Sequence, residues 1–115
     1  MGVHPNDANT WQPGLLEELR QLAANPAVVA IGEIGLDFYR DHAPRDLQID
    51  IFTAQLELAG QLQKPVVIHS RAALADVISV LETWCADLEQ KGNPLADHPG
   101  VLHSFEGGVE QARDV

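Results

Sequence analysis

The sequence predicts an α/β fold of successive βα units with parallel strands, and three observations carry that prediction. Short apolar runs, Val28-Val29-Ala30-Ile31-Gly32, Pro65-Val66-Val67-Ile68 and Gly100-Val101-Leu102, are bounded by Gly or Pro and have the make-up of buried strands. Amphipathic segments of helix length separate them. Each run leads directly into a side chain able to bind a metal, namely Glu33, His69 and His103. These three stand 36 and 34 positions apart (69 − 33 and 103 − 69), which matches one βαβ unit of roughly 30 or more residues per step.

The elements follow in order. Gly2-Val3-His4-Pro5 has the look of a strand tip, and Leu15 to Ala23 places apolar residues at helical spacing, with Pro13 suited to its first turn. Asn25-Pro26 stops that helix, because the residue before a proline is pushed out of the helical region. A strand from Val28 to Gly32 and a loop from Gly35 to Pro44 come next. A second helix is expected from about Asp46 to Gln63, with Leu47, Ile51, Ala54, Leu58 and Leu62 on one stripe and Phe52, Leu56 and Ala59 beside it. Lys64-Pro65 ends it and opens the strand to His69. A third helix, about Ala73 to Gln90, turns Val77, Ile78, Leu81, Trp84 and Leu88 inward. Gly92-Asn93-Pro94 is a loop, Gly100 to His103 a strand, and Gly107-Gly108 the start of a final helix reaching Val115.

A right-handed series of such units closes into a (β/α)₈ TIM barrel or opens into a doubly wound sheet. The dinucleotide-binding version lacks its phosphate turn: Gly32-Glu33-Ile34-Gly35 is not Gly-x-Gly-x-x-Gly and would set a carboxylate against a pyrophosphate. The barrel is the better reading. A whole barrel takes about 250 residues, so residues 1–115 are expected to be a single domain of about four βα units, the central fragment of a barrel. Its open sheet edges would favour self-association.

Composition narrows the function. Seven Lys and Arg against 17 Asp and Glu give a net charge of −10, which argues against gripping nucleic acid by a broad basic surface. A phosphate substrate is still compatible, because a bound cation supplies positive charge locally. The single Cys85, flanked by apolar residues, reads as an inert buried thiol in a reducing compartment. With no secretory signal and no apolar run of spanning length, the expected location is the cytoplasm, away from membranes.

The chemistry-bearing residues converge on strand ends. One His after an apolar strand is usually a hydrogen-bonded core residue, and a Glu there is often a cap or an ion pair. Two histidines and a Glu in register favour a shared divalent metal, since borderline ions take imidazole and carboxylate together and activate water near neutral pH. Gly32 and Gly35 allow the backbone to turn Glu33 into a cleft. Arg71, two residues past His69, is a forked donor suited to a phosphate, with a surface ion pair as the alternative. Asp37 and Tyr39 are expected in the loop after the Glu33 strand, where carboxylates are usually just solvated but can also support a metal ligand from behind or contact substrate, and His4 could line the same mouth. His42 and His98 fall in polar loops and read as exposed; Trp11 and Trp84 read as packing residues.

Gly2-Val3-His4-Pro5, Gly32 to Tyr39, Gln48 with Phe52 and Gln55, Pro65 to Arg71, and Gly100 to Gly107 together resemble the TatD family of metal-dependent deoxyribonucleases, in the right order along nearly the whole chain. The resemblance implies a TIM-barrel hydrolase that cleaves DNA phosphodiesters with divalent metals, often two, such as Mg, Mn or Zn. It implies Glu33, His69 and His103 as metal-binding catalytic positions, and the residues' own chemistry adds Arg71, His4 and Asp37 as candidate substrate contacts. The family's His-x-His pair and Glu-Thr-Asp motif do not occur in these residues, and Ala75 stands where an acidic residue is frequent, although Asp76 follows. The expectation is therefore a DNase-type hydrolase of which this fragment alone is weak or inactive. Ester or amide hydrolysis and a non-catalytic half-barrel are the competing readings.

Overall fold

The computed structural model describes residues 2–12, 14–39, 43–106 and 109–114, with side chains other than those of Asn6, Thr10 and residues 103–114. A 3₁₀ turn, Pro5–Thr10, precedes α1 (Leu15–Ala23), β1 (Ile31–Asp37), α2 (Arg45–Leu62), β2 (Val66–Arg71), α3 (Leu74–Gln90), a second 3₁₀ turn (Pro94–Asp97), β3 (Gly100–Glu106) and β4 (Val109–Asp114). The sheet order is β1-β2-β3-β4. β1, β2 and β3 are parallel, with α2 and α3 as the crossovers, and β4 pairs antiparallel with β3.

The helix ends agree with their signals to within a residue. Gln63 closes α2 in the left-handed conformation (φ 55°), and Pro65 prevents its continuation. The core forms on one face of the sheet. Ile31, Ile34 and Leu36 of β1, Val66 and Ile68 of β2 and Leu102 of β3 are buried beneath Phe52, Leu56 and Ala59 of α2 and Val77, Leu81 and Trp84 of α3. Fully burying side chains of this size contributes about 1.5–3 kcal/mol each, so this layer holds the sheet against the helices. A smaller cluster of Ala8, Ala43 and Ile51, with Trp11 packed on it, fixes the N-terminal turn to α2. Both tryptophans are packing residues, as expected.

Three elements differ from the sequence reading. β1 begins at Ile31, not Val28, and Val29 is 77% exposed; the strand runs on through Asp37, which is therefore not a loop residue. Residues 2–4 are not a strand, because the backbone of Val3 is bonded to a side chain of α2 rather than to a neighbouring strand. The segment after Gly107-Gly108 is β4 and not a helix. Two glycines between segments are a hairpin signal, and β3 offers an edge that a reversing chain can satisfy. The sheet thus has three parallel strands rather than four.

Candidate metal centre

The face of the sheet opposite the helices carries the chemistry. In register, Gly35 lies beside His69, Asp37 beside Arg71, and His69 beside His103. The predicted ligand positions are interior to their strands: Glu33 is third in β1, and His69 and His103 are each fourth in β2 and β3. The β1–β2 register steps from Gly32↔Val67 to Ile34↔Ile68, so Glu33 is an extra residue in a bulge. The Gly32–Glu33 peptide is cis. Bulges re-aim side chains, and Glu33 is exposed in a strand whose Ile31, Ile34 and Leu36 are buried. Glycine is needed at position 35: φ is +138°, and a Cβ there would stand 2.1 Å from the His69 carbonyl oxygen.

His4, Glu33 and His69 come together, their ligand atoms all within 4.8 Å of one another. His4 Nε2 is 3.7 Å from Glu33 Oε1, and the two imidazole centroids are 4.5 Å apart at 54°. His4 is half-buried and His69 buried, while Glu33 opens to solvent. Burial pushes the His4 pKa below its ordinary 6.5; His69 adds to the effect, and Glu33, Asp7 and Asp37 oppose it. A neutral imidazole is the form that binds a metal. Two imidazoles and a carboxylate grouped in this way are a donor set that a divalent ion such as zinc takes.

Behind this group is a layer of positioning contacts. Asp37 is fully buried; its Oδ2 is 3.0 Å from His69 Nε2 and its Oδ1 accepts the Tyr39 N–H at 3.1 Å. A carboxylate on one ring nitrogen fixes the tautomer and orientation of the imidazole. Asp37 is held in turn by Gln48, whose Oε1 accepts the Asp37 N–H at 2.8 Å and whose Nε2 donates to the carbonyls of Asp37 (3.1 Å) and Ala43 (3.0 Å). Gln55, seven residues along α2, does the same for Val3: its Oε1 accepts the Val3 N–H (2.6 Å) and its Nε2 donates to the Val3 carbonyl (3.1 Å). One helix face thereby fixes the backbone beside His4 and the carboxylate behind His69.

Sequence reasoning names every member of this group. The structure sets His4 against Glu33 and His69, and Asp37 meets His69 from a fully buried position at the end of β1 rather than from a loop. The signal for the glutamines was two amides seven residues apart on an otherwise apolar helix face. Arg71 lies at the end of β2 with its guanidinium 4.1 Å from the Tyr39 ring centroid. The side chain of His103 lies outside the described residues, as does His42; His98 is exposed, as expected. Cys85 is half-buried, and burial with nearby Glu89 raises its thiol pKa, in keeping with an inert thiol. Among the described residues no helix is long and apolar enough to cross a membrane.

The family model for TatD-related DNases matches residues 1–115. The chain belongs to the TatD-related DNase family. The 3'-5' ssDNA/RNA exonuclease TatD of Cronobacter turicensis is 44% identical to it over 114 residues, 98% of this chain and 40% of the relative. Its counterpart in Escherichia coli K12 is 42% identical over 111 residues, 96% of this chain and 39% of the relative. The TatD-related chain thus spans about two-fifths of the length of these curated relatives. The crystal structure of YJJV, a TatD homologue of Escherichia coli, superposes with a TM-score of 0.68 at 35% identity, covering 74% of this chain and 34% of that one. An uncharacterised amidohydrolase from Saccharomyces cerevisiae gives 0.66 at 26% identity, over 75% and 32%. The fold is a partial α/β barrel.

Proposed function

We propose that this TatD-related chain contributes to a metal-dependent hydrolase that cleaves nucleic-acid phosphodiesters, and that His4, Glu33, His69 and His103 hold the divalent ion. The observation that carries the reading is the grouping of His4, Glu33 and His69 on the open sheet face with a buried carboxylate behind His69. Two curated relatives named as single-strand exonucleases support the substrate class. A bound ion of this kind polarises a phosphoryl oxygen and lowers the pKa of water to about 7. Imidazole donors favour Zn over Mg. Exposed Glu33 is open to the water side of the centre, Asp37 and Gln48 keep His69 in one orientation, Gln55 keeps His4 against it, and Arg71 receives a phosphate oxygen.

In this reading residues 1–115 are one domain supplying part of a barrel wall and part of the ligand set, in the cytoplasm. Its own turnover is weak, and β1 and β4, the edge strands, are where it would self-associate. The test is a Co²⁺ or Zn²⁺ titration of the chain together with divalent-dependent nucleotide release from single-stranded DNA, each repeated with Glu33→Ala. One metal-binding event that Glu33→Ala abolishes, with slow release, is expected. Absence of metal binding would overturn the proposal, and robust Glu33-dependent turnover would overturn the claim of weakness. The amidohydrolase name of the yeast neighbour favours a second reading, amide or ester hydrolysis at the same centre, which substrates of both kinds under one metal separate.

A further inference from the structure

Tyr39 is 65% exposed, one of three large apolar side chains left that open among the described residues. It is nevertheless well fixed. Its N–H is bonded to Asp37 Oδ1, the carboxylate whose other oxygen meets His69. The Phe38 N–H donates to the Arg71 carbonyl at 2.9 Å, so the end of β2 lies alongside. The Arg71 guanidinium sits 4.1 Å from the Tyr39 ring centroid. Among the described residues Arg71 forms no ion pair with a carboxylate, in a chain whose acidic residues outnumber its basic ones 17 to 7. Among the described residues, a fixed, exposed ring two residues past Asp37 and a half-buried guanidinium without a carboxylate two residues past His69 thus stand together.

From this juxtaposition we propose that Tyr39 and Arg71 form a nucleotide clamp beside the metal centre, the ring stacking on an unpaired base and the guanidinium binding a backbone phosphate. The inference rests on the nucleic-acid reading above and adds to it the residues that select a single strand. The chemistry follows from each partner. Every base has a π face, so an aromatic platform binds bases with little regard to sequence. A guanidinium fork matches two phosphate oxygens. In a duplex the base is paired and stacked on its neighbours, so a ring that must cover its face takes a single-stranded nucleotide in preference. The cation–π contact holds the ring in place before the substrate arrives, which lowers the entropy lost on binding.

The test uses the 115-residue chain with Zn²⁺, and reads by fluorescence anisotropy the binding of a phosphorothioate oligothymidylate and of the same backbone carrying abasic sites. The unsubstituted chain is expected to prefer the base-bearing strand by about tenfold, the scale of one base–aromatic stack. Tyr39→Ala should remove that preference and Tyr39→Phe keep it. Arg71→Ala should weaken both strands alike, with Arg71→Lys restoring only part. Thermal melts should be unmoved by Tyr39→Ala, since the ring is exposed. Binding with no preference for bases, or a preference that survives Tyr39→Ala, would overturn the clamp while leaving the nucleic-acid reading intact. No binding of either strand would overturn both.

Discussion

Asp37 is the residue on which the candidate centre depends most, and Asp37→Asn isolates its charge. The substitution keeps the size of the side chain and an oxygen for the Tyr39 N–H, and it leaves the Gln48 contacts to the Asp37 backbone in place. What it removes is the charged acceptor 3.0 Å from His69 Nε2 in a fully buried position. A hydrogen bond to a charged group contributes about 1.5–3 kcal/mol net. A loss of about 2 kcal/mol corresponds to a fall in melting temperature of about 6–12 °C for a domain of this size. If Asp37 also orients His69 as a metal ligand, affinity for a divalent ion should fall by about 10–100-fold. Competition between the chain and a chromophoric chelator for Zn²⁺ measures the second effect, and differential scanning calorimetry of the metal-free chain measures the first. A lowered melting temperature with unchanged metal affinity would refute the positioning role and leave Asp37 as packing. Unchanged values of both would mean that the buried pair contributes nothing.

Other perturbations test the surrounding layer. Gln55→Leu strands the Val3 N–H and carbonyl and should destabilise the chain by about 1–3 kcal/mol, with a loss of metal affinity through His4 that Gln55→Glu restores in part; melts and the same chelator competition read both. Gly35→Ala sets a Cβ 2.1 Å from the His69 carbonyl at φ +138° and should cost about 3 kcal/mol or more, seen as loss of the cooperative melt. In the metal-free chain His4 should titrate below 6.5, followed by the histidine ring resonances. Because its folded pKa is the lower one, His4's contribution is fully present above the unfolded pKa of 6.5 and is lost as pH falls through the folded value; a His4 titration at or above 6.5 would contradict the burial argument. The Cys85 thiol should react with a disulfide reagent more slowly than free cysteine near neutral pH, and speed up as pH rises.

How much of this was legible in the sequence depended on whether a local signal was backed by a partner. α1, α2 and α3 were read to within a residue because proline, asparagine and glycine punctuate their ends. The start of β1 is hidden in the sequence for a physical reason. The apolar run Val28-Val29-Ala30 imitates a strand, whereas the true strand Ile31–Asp37 mixes Ile and Leu with Gly and acidic residues. Its bulge makes the aliphatic core residues fall at 31, 34 and 36, a spacing of three and then two, which conceals the period of two on which strand reading rests. The N-terminal segment could not be read, because what holds Val3 is an amide on α2, 52 positions away. Pairing of β4 depended on the free edge of β3, a tertiary fact.

The same bulge sets which residues of β1 reach the open face. A regular strand would continue the alternation from Ile31, and a one-residue slip turns every side chain to the other face. With Glu33 as the extra residue, Ile34 and Leu36 return to the helices and Gly35 and Asp37 to the open face beside His69 and Arg71. Removing residue 33 would therefore not simply delete a ligand. It would join Gly32 to Ile34 in an unbulged ladder, in which the register beyond the deletion must shift or Ile34, Leu36 and Phe38 leave the core. A deletion of Glu33 should thus lose the cooperative melt, whereas Glu33→Gln, exposed and in the same bulge, should change stability by no more than about 0.5 kcal/mol while weakening metal binding. Equal stability of the two variants in thermal melts would show that the bulge does not set the register.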